Sequence, residues 1–346
     1  MEKKLMVVLG NGFTIDLVNH LSGDPSFEHD IDVRNLFRDG ASVPWPSTKE
    51  PGFLSFKHCP NLWNLGARPN MTAEEAMNLI EDIITCVNVY ASNPNKSRSS
   101  SSGRPNEIYI HAYKELSSYL KRLFVYYDEN IDVLPDSILE WSWTQYLKNI
   151  NSSGQYKEVH IVTYNYDVWL ERLLMKAGVE FDVAGFEDTE KKVKIYKPHG
   201  SISFKHKTLI DRSAYGIKYD RELLDGALED FEVGYSALGE NYLVNAMIPP
   251  AGEAGRLNHS WAGELQSKIR NLTNSLDEND DCLICGLSYW HVDRRELDEI
   301  LVSCHPGMNI KLINPYPSPS LTAVITSIFD NFVLYPNSNI LCGLMK

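Results

Sequence analysis

Two short runs of this chain combine side-chain types that do chemistry with a position where an α/β sheet holds ligands. They are Thr163-Tyr164-Asn165-Tyr166-Asp167 and Lys197-Pro198-His199-Gly200-Ser201, and each follows an apolar, strand-like stretch. Histidine titrates near neutral pH and can take a proton from a sugar hydroxyl or a water. The asparagine and aspartate side chains can meet a ribose and a carboxamide. A third run lies at the N-terminus, where Leu5-Met6-Val7-Val8-Leu9 reads as a buried strand and Gly10-Asn11-Gly12-Phe13-Thr14-Ile15-Asp16 as a Gly-rich turn opening a helix. In such a turn, backbone amides and the positive helix end can cradle a pyrophosphate. Gly286-Leu287-Ser288 and Ile313-Asn314-Pro315 follow two further strand-like runs, with Asp293 beyond the first.

Each piece has a structural reading of its own. Gly10-Asn11-Gly12 lacks the third glycine of the dinucleotide fingerprint and would serve as an ordinary βα turn. Asp167 could cap the following helix, and Asn314 could form a turn before its proline. The functional reading rests on their conjunction, because small polar clusters at five strand ends are what a doubly wound sheet places around a nucleotide. It predicts an enzyme acting on a dinucleotide.

The elements that must position these residues follow from periodicity. Residues 3–9 form a first strand, and residues 14–21 a helix with Thr14 as its N-cap and Asp16 in its first turn. Residues 23–70 show no clean period. Thr72 then caps a helix with the stripe Ala73, Met77, Ile80, Ile84, Val87, and Glu75 completes a capping box. The low-complexity segment 92–106 reads as a loop, and helices are expected over about 107–126 and 136–149. Strands at 158–163, 179–183, 192–196, 281–286, 309–313 and 331–335 alternate with helices at 167–177, 259–275 and 293–303 and a short helix before the last strand. The stretch 206–255 reads as either a hairpin or a helical excursion. The predicted fold is an α/β, doubly wound parallel sheet (Rossmann-like) with a large helical insertion. Residues 1–22 and 151–346 make the α/β domain and residues 23–150 the insertion. Trp45, Trp63, Trp141 and Trp143 would supply an exposed interface or fill the insertion's own core.

Bulk properties narrow the field. The chain has 346 residues, is 43% hydrophobic and 23% charged, and carries a formal charge of -13. That charge argues against direct binding of nucleic acid. No apolar run reaches the roughly 18 residues of a membrane span, the N-terminal apolar run is too short for a signal peptide, and a cytoplasmic protein is expected. Of the cysteines only Cys282 and Cys285 have metal-like spacing, within a strand-like run and with no second pair, so no metal is expected.

Taken in order, Gly-x-Gly-x-Thr, Thr-x-Asn-Tyr-Asp, Lys-x-His-Gly-Ser, Gly-x-Ser and Ile-Asn-Pro resemble the sirtuin-like superfamily, and its bacterial NAD-consuming defence branch more than the deacylases. The Gly10-Asn11-Gly12-Phe13 fragment also resembles abortive-infection proteins of the AbiH group. The resemblance covers residues 3–22 and 156–335. It implies an NAD+ site with Asn165 and His199 as the catalytic pair. Gly10, Gly12 and Thr14 would lie at the pyrophosphate and Ser288 near the phosphates, with Asp16 and Gly286 also among the cofactor-binding residues. Asn314 would lie at the adenosine ribose and Asp167 at the nicotinamide amide. The four-cysteine zinc ribbon of the deacylases is missing, which leaves water as the acceptor and implies an NAD+ hydrolase acting in antiphage abortive infection. The resemblance further implies activation by homo-oligomerisation, by a DNA-translocating ATPase partner or by a phage-derived trigger. A sensor of NAD or ADP-ribose, a zinc-free deacylase or ADP-ribosyltransferase, and a scaffold with a vestigial site remain alternatives.

Overall fold

The computed structural model describes residues 3–91, 107–131, 133–187, 189–219, 225–249, 260–289 and 294–344. The low-complexity segment 92–106 and Asp293 lie outside the described residues. In chain order the elements are β1 (Lys3–Leu9), α1 (Asn11–Leu21), α2 (Pro60–Asn64), α3 (Ala73–Ala91), α4 (Glu107–Asn130), α5 (Ser142–Ser152), β2 (Tyr156–Thr163), α6 (Trp169–Lys176), β3 (Phe181–Val183), β4 (Val193–Tyr196), β5 (Gly200–His206), β6 (Phe231–Val233), β7 (Asn245–Met247), α7 (Ser260–Thr273), β8 (Asp281–Cys285), α8 (Arg294–Ser303), β9 (Asn309–Ile313), α9 (Pro319–Ile328) and β10 (Asn331–Tyr335). The chain divides into two units, one of residues Met1–Asp30, Ile131–Pro198 and Glu264–Lys346, the other of residues Ile31–Asn130 and His199–Gly263.

The first unit holds a seven-stranded sheet in the order β10-β9-β8-β1-β2-β4-β3, with every pairing parallel. It is a doubly wound α/β sheet flanked by helices, as the alternating pattern predicts. Strands buried on both faces read as continuous apolar runs, and Met6, Val7 and Val8 are fully buried at the centre. Alternate side chains take opposite faces. Met6, Val8, Val162, Ile284 and Leu312 join a core completed by Ile269 and Leu272 of α7, Ile300 of α8 and Ile325 of α9. On β8, Cys282 and Cys285 stand three residues apart, so their side chains point to opposite faces, and burial pushes both thiols up. Among the described residues no group of three or more His, Cys, Asp or Glu is placed to hold a metal ion.

Register decides where the motifs lie. Leu9 pairs with both Thr163 and Cys285, Cys285 pairs with Ile313, and Val162 pairs with Tyr196. The carboxyl ends of β1, β2, β4, β8 and β9 are therefore level. Within the first unit this aligns Gly10, Tyr164, Lys197, Gly286 and Asn314 along one edge of the sheet. Strand order reverses at β1, between β2 on one side and β8 on the other, which is the place where open α/β sheets bind ligands.

Two expectations for α1 need correction. The helix begins at Asn11 with Gly10 as its N-cap, so Thr14 is not the cap and Asp16 is outside the first turn. The Phe13 N–H already closes on the Gly10 carbonyl at 3.0 Å, so the turn winds into helix three residues earlier than polar capping alone suggests. The tryptophans also separate: Trp45, Trp141 and Trp143 are buried rather than exposed, and Trp63 is half-buried beneath the Arg68 guanidinium.

In the second unit α2 and α3 pack on α4. Ile80, Ile84 and Val87 of the predicted stripe are buried. Thr72 and Glu75 form the capping box, with Thr72 N–H to Glu75 Oε2 at 2.8 Å and Glu75 N–H to Thr72 Oγ1 at 3.2 Å. Glu115 of α4 is fully buried, and its Oε2 accepts the Leu62 N–H at 2.7 Å in the first turn of α2. Only the described part of the stretch that the sequence left between a hairpin and a helical excursion can be followed. Its residues supply β6 and β7, which flank β5 in an antiparallel sheet of order β6-β5-β7. No helix among the described residues is long and apolar enough to cross a membrane.

The β1–α1 turn leaves no room for a side chain. A Cβ added to Gly12 would sit 2.4 Å from the Gly286 Cα, and one added to Gly286 would sit 2.4 Å from the Gly12 Cα. Gly286 also has φ +67. Gly12→Ala is expected to cost about 1–3 kcal/mol through forced backbone movement. Gly286→Ala carries a further ~1–2 kcal/mol from its left-handed backbone. Gly154→Ala, with nothing within 4 Å of the added atom, should leave the urea midpoint unchanged. Equal midpoints for all three variants would refute the close approach.

Candidate functional site

At the level edge of the first unit, polar side chains bind one another across strand ends. Asn165, two residues past β2, turns its side-chain N–H groups back to β1: Nδ2 donates to the Gly10 carbonyl at 3.1 Å and to Thr14 Oγ1 at 2.8 Å. The Thr14 hydroxyl in turn donates to Asp167 Oδ2 at 2.9 Å. Asp167 Oδ1 accepts the Trp169 N–H at 3.1 Å, so this carboxylate also serves the entrance of α6, although the N-cap of that helix is Val168 and not Asp167 as the capping alternative expected. Thr14, Asn165 and Asp167 are all buried. Such an arrangement is tolerated only when each buried polar group finds a partner.

Beneath this chain lies an ion pair that sequence reasoning did not find. Lys197, just past β4, is 1% exposed, and its Nζ lies 2.8 Å from Oε1 of Glu171, which is 0% exposed. The same ammonium donates to the Asp167 carbonyl. Burial raises the Asp167 carboxyl above the usual range, and the Lys197 charge and the Thr14 bond oppose that rise. Glu171 Oε2 is buried without a partner among the described residues. Nothing in the local pattern betrays Glu171, since it sits in an amphipathic helix among the buried Trp169, Leu170, Leu173 and Leu174. Lys197 stood in a motif but was read only as the neighbour of His199.

The other candidates take distinct positions. Gly10 and Gly12 spend their N–H groups on the Cys285 and Gly286 carbonyls, each at 3.0 Å, so the turn is sewn to the end of β8. Asp16, in the second turn of α1, accepts the Ser338 hydroxyl at 2.6 Å, and burial pushes its carboxyl up. Gly286 is half-buried and Ser288 exposed. Asn314 Nδ2 donates to the Leu287 carbonyl at 3.2 Å, and its Oδ1 accepts the Tyr316 N–H at 2.9 Å, so it forms the expected turn and also ties β9 to β8. The edge thus brings Gly10, Thr14, Asn165 and Asp167 into one network and Gly12, Gly286 and Asn314 into backbone contacts beside it, while Asp16 faces the C-terminal segment.

His199 belongs to the second unit, where it is 2% exposed and its carbonyl accepts the Ile248 N–H at 3.0 Å. The following Gly200 has φ +84, and a Cβ there would fall 1.9 Å from the Ala246 carbonyl oxygen. Only glycine lets β5 start against β7 at this point. Ser201 and Ser203 follow, with the Ser203 hydroxyl donating to Ser201 Oγ at 2.9 Å.

The Lys197–Glu171 pair offers a direct test. Removing one member of a buried pair leaves an uncompensated charge, at a cost of about 3–5 kcal/mol. Lys197→Met should therefore lower the denaturant midpoint sharply, and Lys197→Met combined with Glu171→Leu should recover much of the loss. Additive losses in the double variant would show that the two side chains do not compensate each other.

None of the curated proteins compared with the chain matches it. The family model of the SIR2-like domain matches residues 159–239, so the segment running from the Thr163–Asp167 motif through Lys197–Ser201 is similar to that domain.

Proposed function

We propose that the protein is an NAD+ glycohydrolase that releases nicotinamide and leaves ADP-ribose. The observation that carries this reading is the buried network joining the ends of β1 and β2, in which Asn165 is locked to Gly10 and Thr14 beside Asp167 at the strand-order reversal. The match of residues 159–239 to the SIR2-like domain supports the same chemistry, since Asn165, Asp167 and His199 all lie within it.

The nicotinamide of NAD+ is a cationic leaving group, so cleavage of its bond to ribose needs no general acid. What remains is to orient the substrate and to deliver a nucleophile as the sugar becomes cationic. In this proposal Asp167 holds the carboxamide, Asn165 positions the ribose hydroxyls or the attacking water, and His199 takes the proton of that water. Thr14 would meet the pyrophosphate, while Gly12 and Gly286 let the backbones close up beneath it. Asp16, Ser288 and Asn314 would line the dinucleotide as the family resemblance implies. In the cell the reaction would deplete NAD+ in the cytoplasm during antiphage defence. Homo-oligomerisation, a translocating ATPase or a phage product would supply the switch that unrestrained hydrolysis demands.

His199→Ala and Asn165→Ala are each expected to lower nicotinamide release by about 10²–10⁴ while far-UV circular dichroism stays unchanged. Nicotinamide is read by chromatography after incubation with NAD+, with and without candidate activators. NAD+ that binds without ever yielding nicotinamide would replace the hydrolase with a sensor. Release that requires an acylated or nucleophilic acceptor would replace it with a transferase.

A further inference from the structure

Away from the sheet edge, the second unit contains a cavity of about 220 Å³ bounded by α4, the 210–218 loop and residues 241–247. A single water needs only about 10–15 Å³, so the space is of ligand size. Lys114, Ser117, Ser118 and Lys121 recur at helical spacing and present one face of α4 to it, with Arg122 beside them. Lys218 stands exposed in its lining. Among the described residues four cations and no carboxylate line the cavity, in a chain whose formal charge is -13.

Two buried groups in this lining lack the partners their chemistry calls for. Lys121 is 6% exposed, and its ammonium lies 4.7 Å from the centre of the Tyr242 ring. It makes no hydrogen bond or ion pair among the described residues. Asn241 is 5% exposed; its Oδ1 accepts from Arg122, but its Nδ2 donor is buried without a partner among the described residues. A buried cation and a buried donor without acceptors are both costly. Burial, with Arg122 and Lys205 nearby, pushes the Lys121 ammonium down to about 7, and a bound anion would reverse that. Arg122 is held in place by the Gly239 carbonyl at 2.6 Å and lies 5.3 Å from the Tyr215 ring. The tyrosines supply aromatic wall beside the charge.

We propose that this cavity binds a nucleoside phosphate, with the phosphate met by Lys121 and the Asn241 amide and the base received by the Tyr215 and Tyr242 walls. The inference is independent of the NAD+ reading, because every residue it uses lies in the second unit and none belongs to the network around Asn165.

Isothermal titration of the full chain with AMP, adenosine and inorganic phosphate tests it. AMP should bind at least tenfold more tightly than either adenosine or phosphate. Lys121→Met should weaken AMP at least tenfold while the free variant melts at or above the wild-type temperature, because an unpaired buried cation has been removed. Lys218→Gln, an exposed change that leaves the core untouched, should weaken AMP severalfold and serves if Lys121→Met fails to fold. Asn165→Ala should leave AMP affinity unchanged. The proposal is overturned if AMP does not bind, or if adenosine or phosphate binds as tightly as AMP. It is equally overturned if both lysine variants bind like wild type, or if AMP binding is lost in Asn165→Ala and kept in Lys121→Met.

Discussion

The side-chain amide of Asn165 does for this sheet edge what no backbone ladder can. Past Thr163 the parallel pairing of β1 and β2 ends, and the chains must leave in different directions into α1 and α6. The two N–H groups of one asparagine bridge the gap, one to the Gly10 carbonyl and one to the Thr14 hydroxyl. Thr14 passes the connection on to Asp167, and Asp167 to the first N–H of α6. Buried polar atoms at the end of a sheet would otherwise go without partners. Held together in this way, the strand ends present a fixed polar surface at the point where strand order reverses.

Glycine supplies the complementary constraint on the other side of β1. Gly12 and Gly286 meet backbone to backbone, and the Gly12 N–H closes on the Gly286 carbonyl. A motif that looks like a phosphate turn is here also a packing joint between β1, α1 and β8. The two uses are compatible, because a turn that brings bare backbone to a helix end both packs closely and leaves a positive pole. They do differ in which amides remain available, since those of Gly10 and Gly12 are already engaged by carbonyls at the end of β8.

Charge is distributed with the same economy. The chain is acidic overall, yet its buried cations stand in contrasting settings. Lys197 is matched by Glu171 and braces the Asp167 backbone, so its charge is compensated and serves to position a side chain. Lys121 has an aromatic ring beside it and, among the described residues, no counter-charge. A buried charge that is paired reads as architecture, and one left unpaired at a cavity wall reads as a place for something anionic.

How much of this was legible beforehand depended on the range of the interaction. Local patterns determined the elements: apolar runs marked β1, β2, β8 and β9, Thr72 and Glu75 marked the start of α3, and strands alternating with helices marked the parallel sheet. They also singled out Asn165, Asp167 and Thr14, because small polar residues after apolar runs are conspicuous. Roles that depend on distant partners were not legible. Thr14 looked like a helix cap, and only folding set its hydroxyl between Asn165 and Asp167. Glu171 carried no signal in an amphipathic helix until Lys197 came beside it, and Trp143 could not be assigned to core or surface until Phe13 packed against it. Secondary structure follows from side-chain period and backbone preference within a few residues, whereas register and burial pair residues more than a hundred positions apart. The sequence by itself therefore determined the strands of the parallel sheet and what chemistry their ends could carry, whereas β5, β6 and β7 emerged only in the folded chain. Only the tertiary structure decided that those ends are level and which polar atoms satisfy one another.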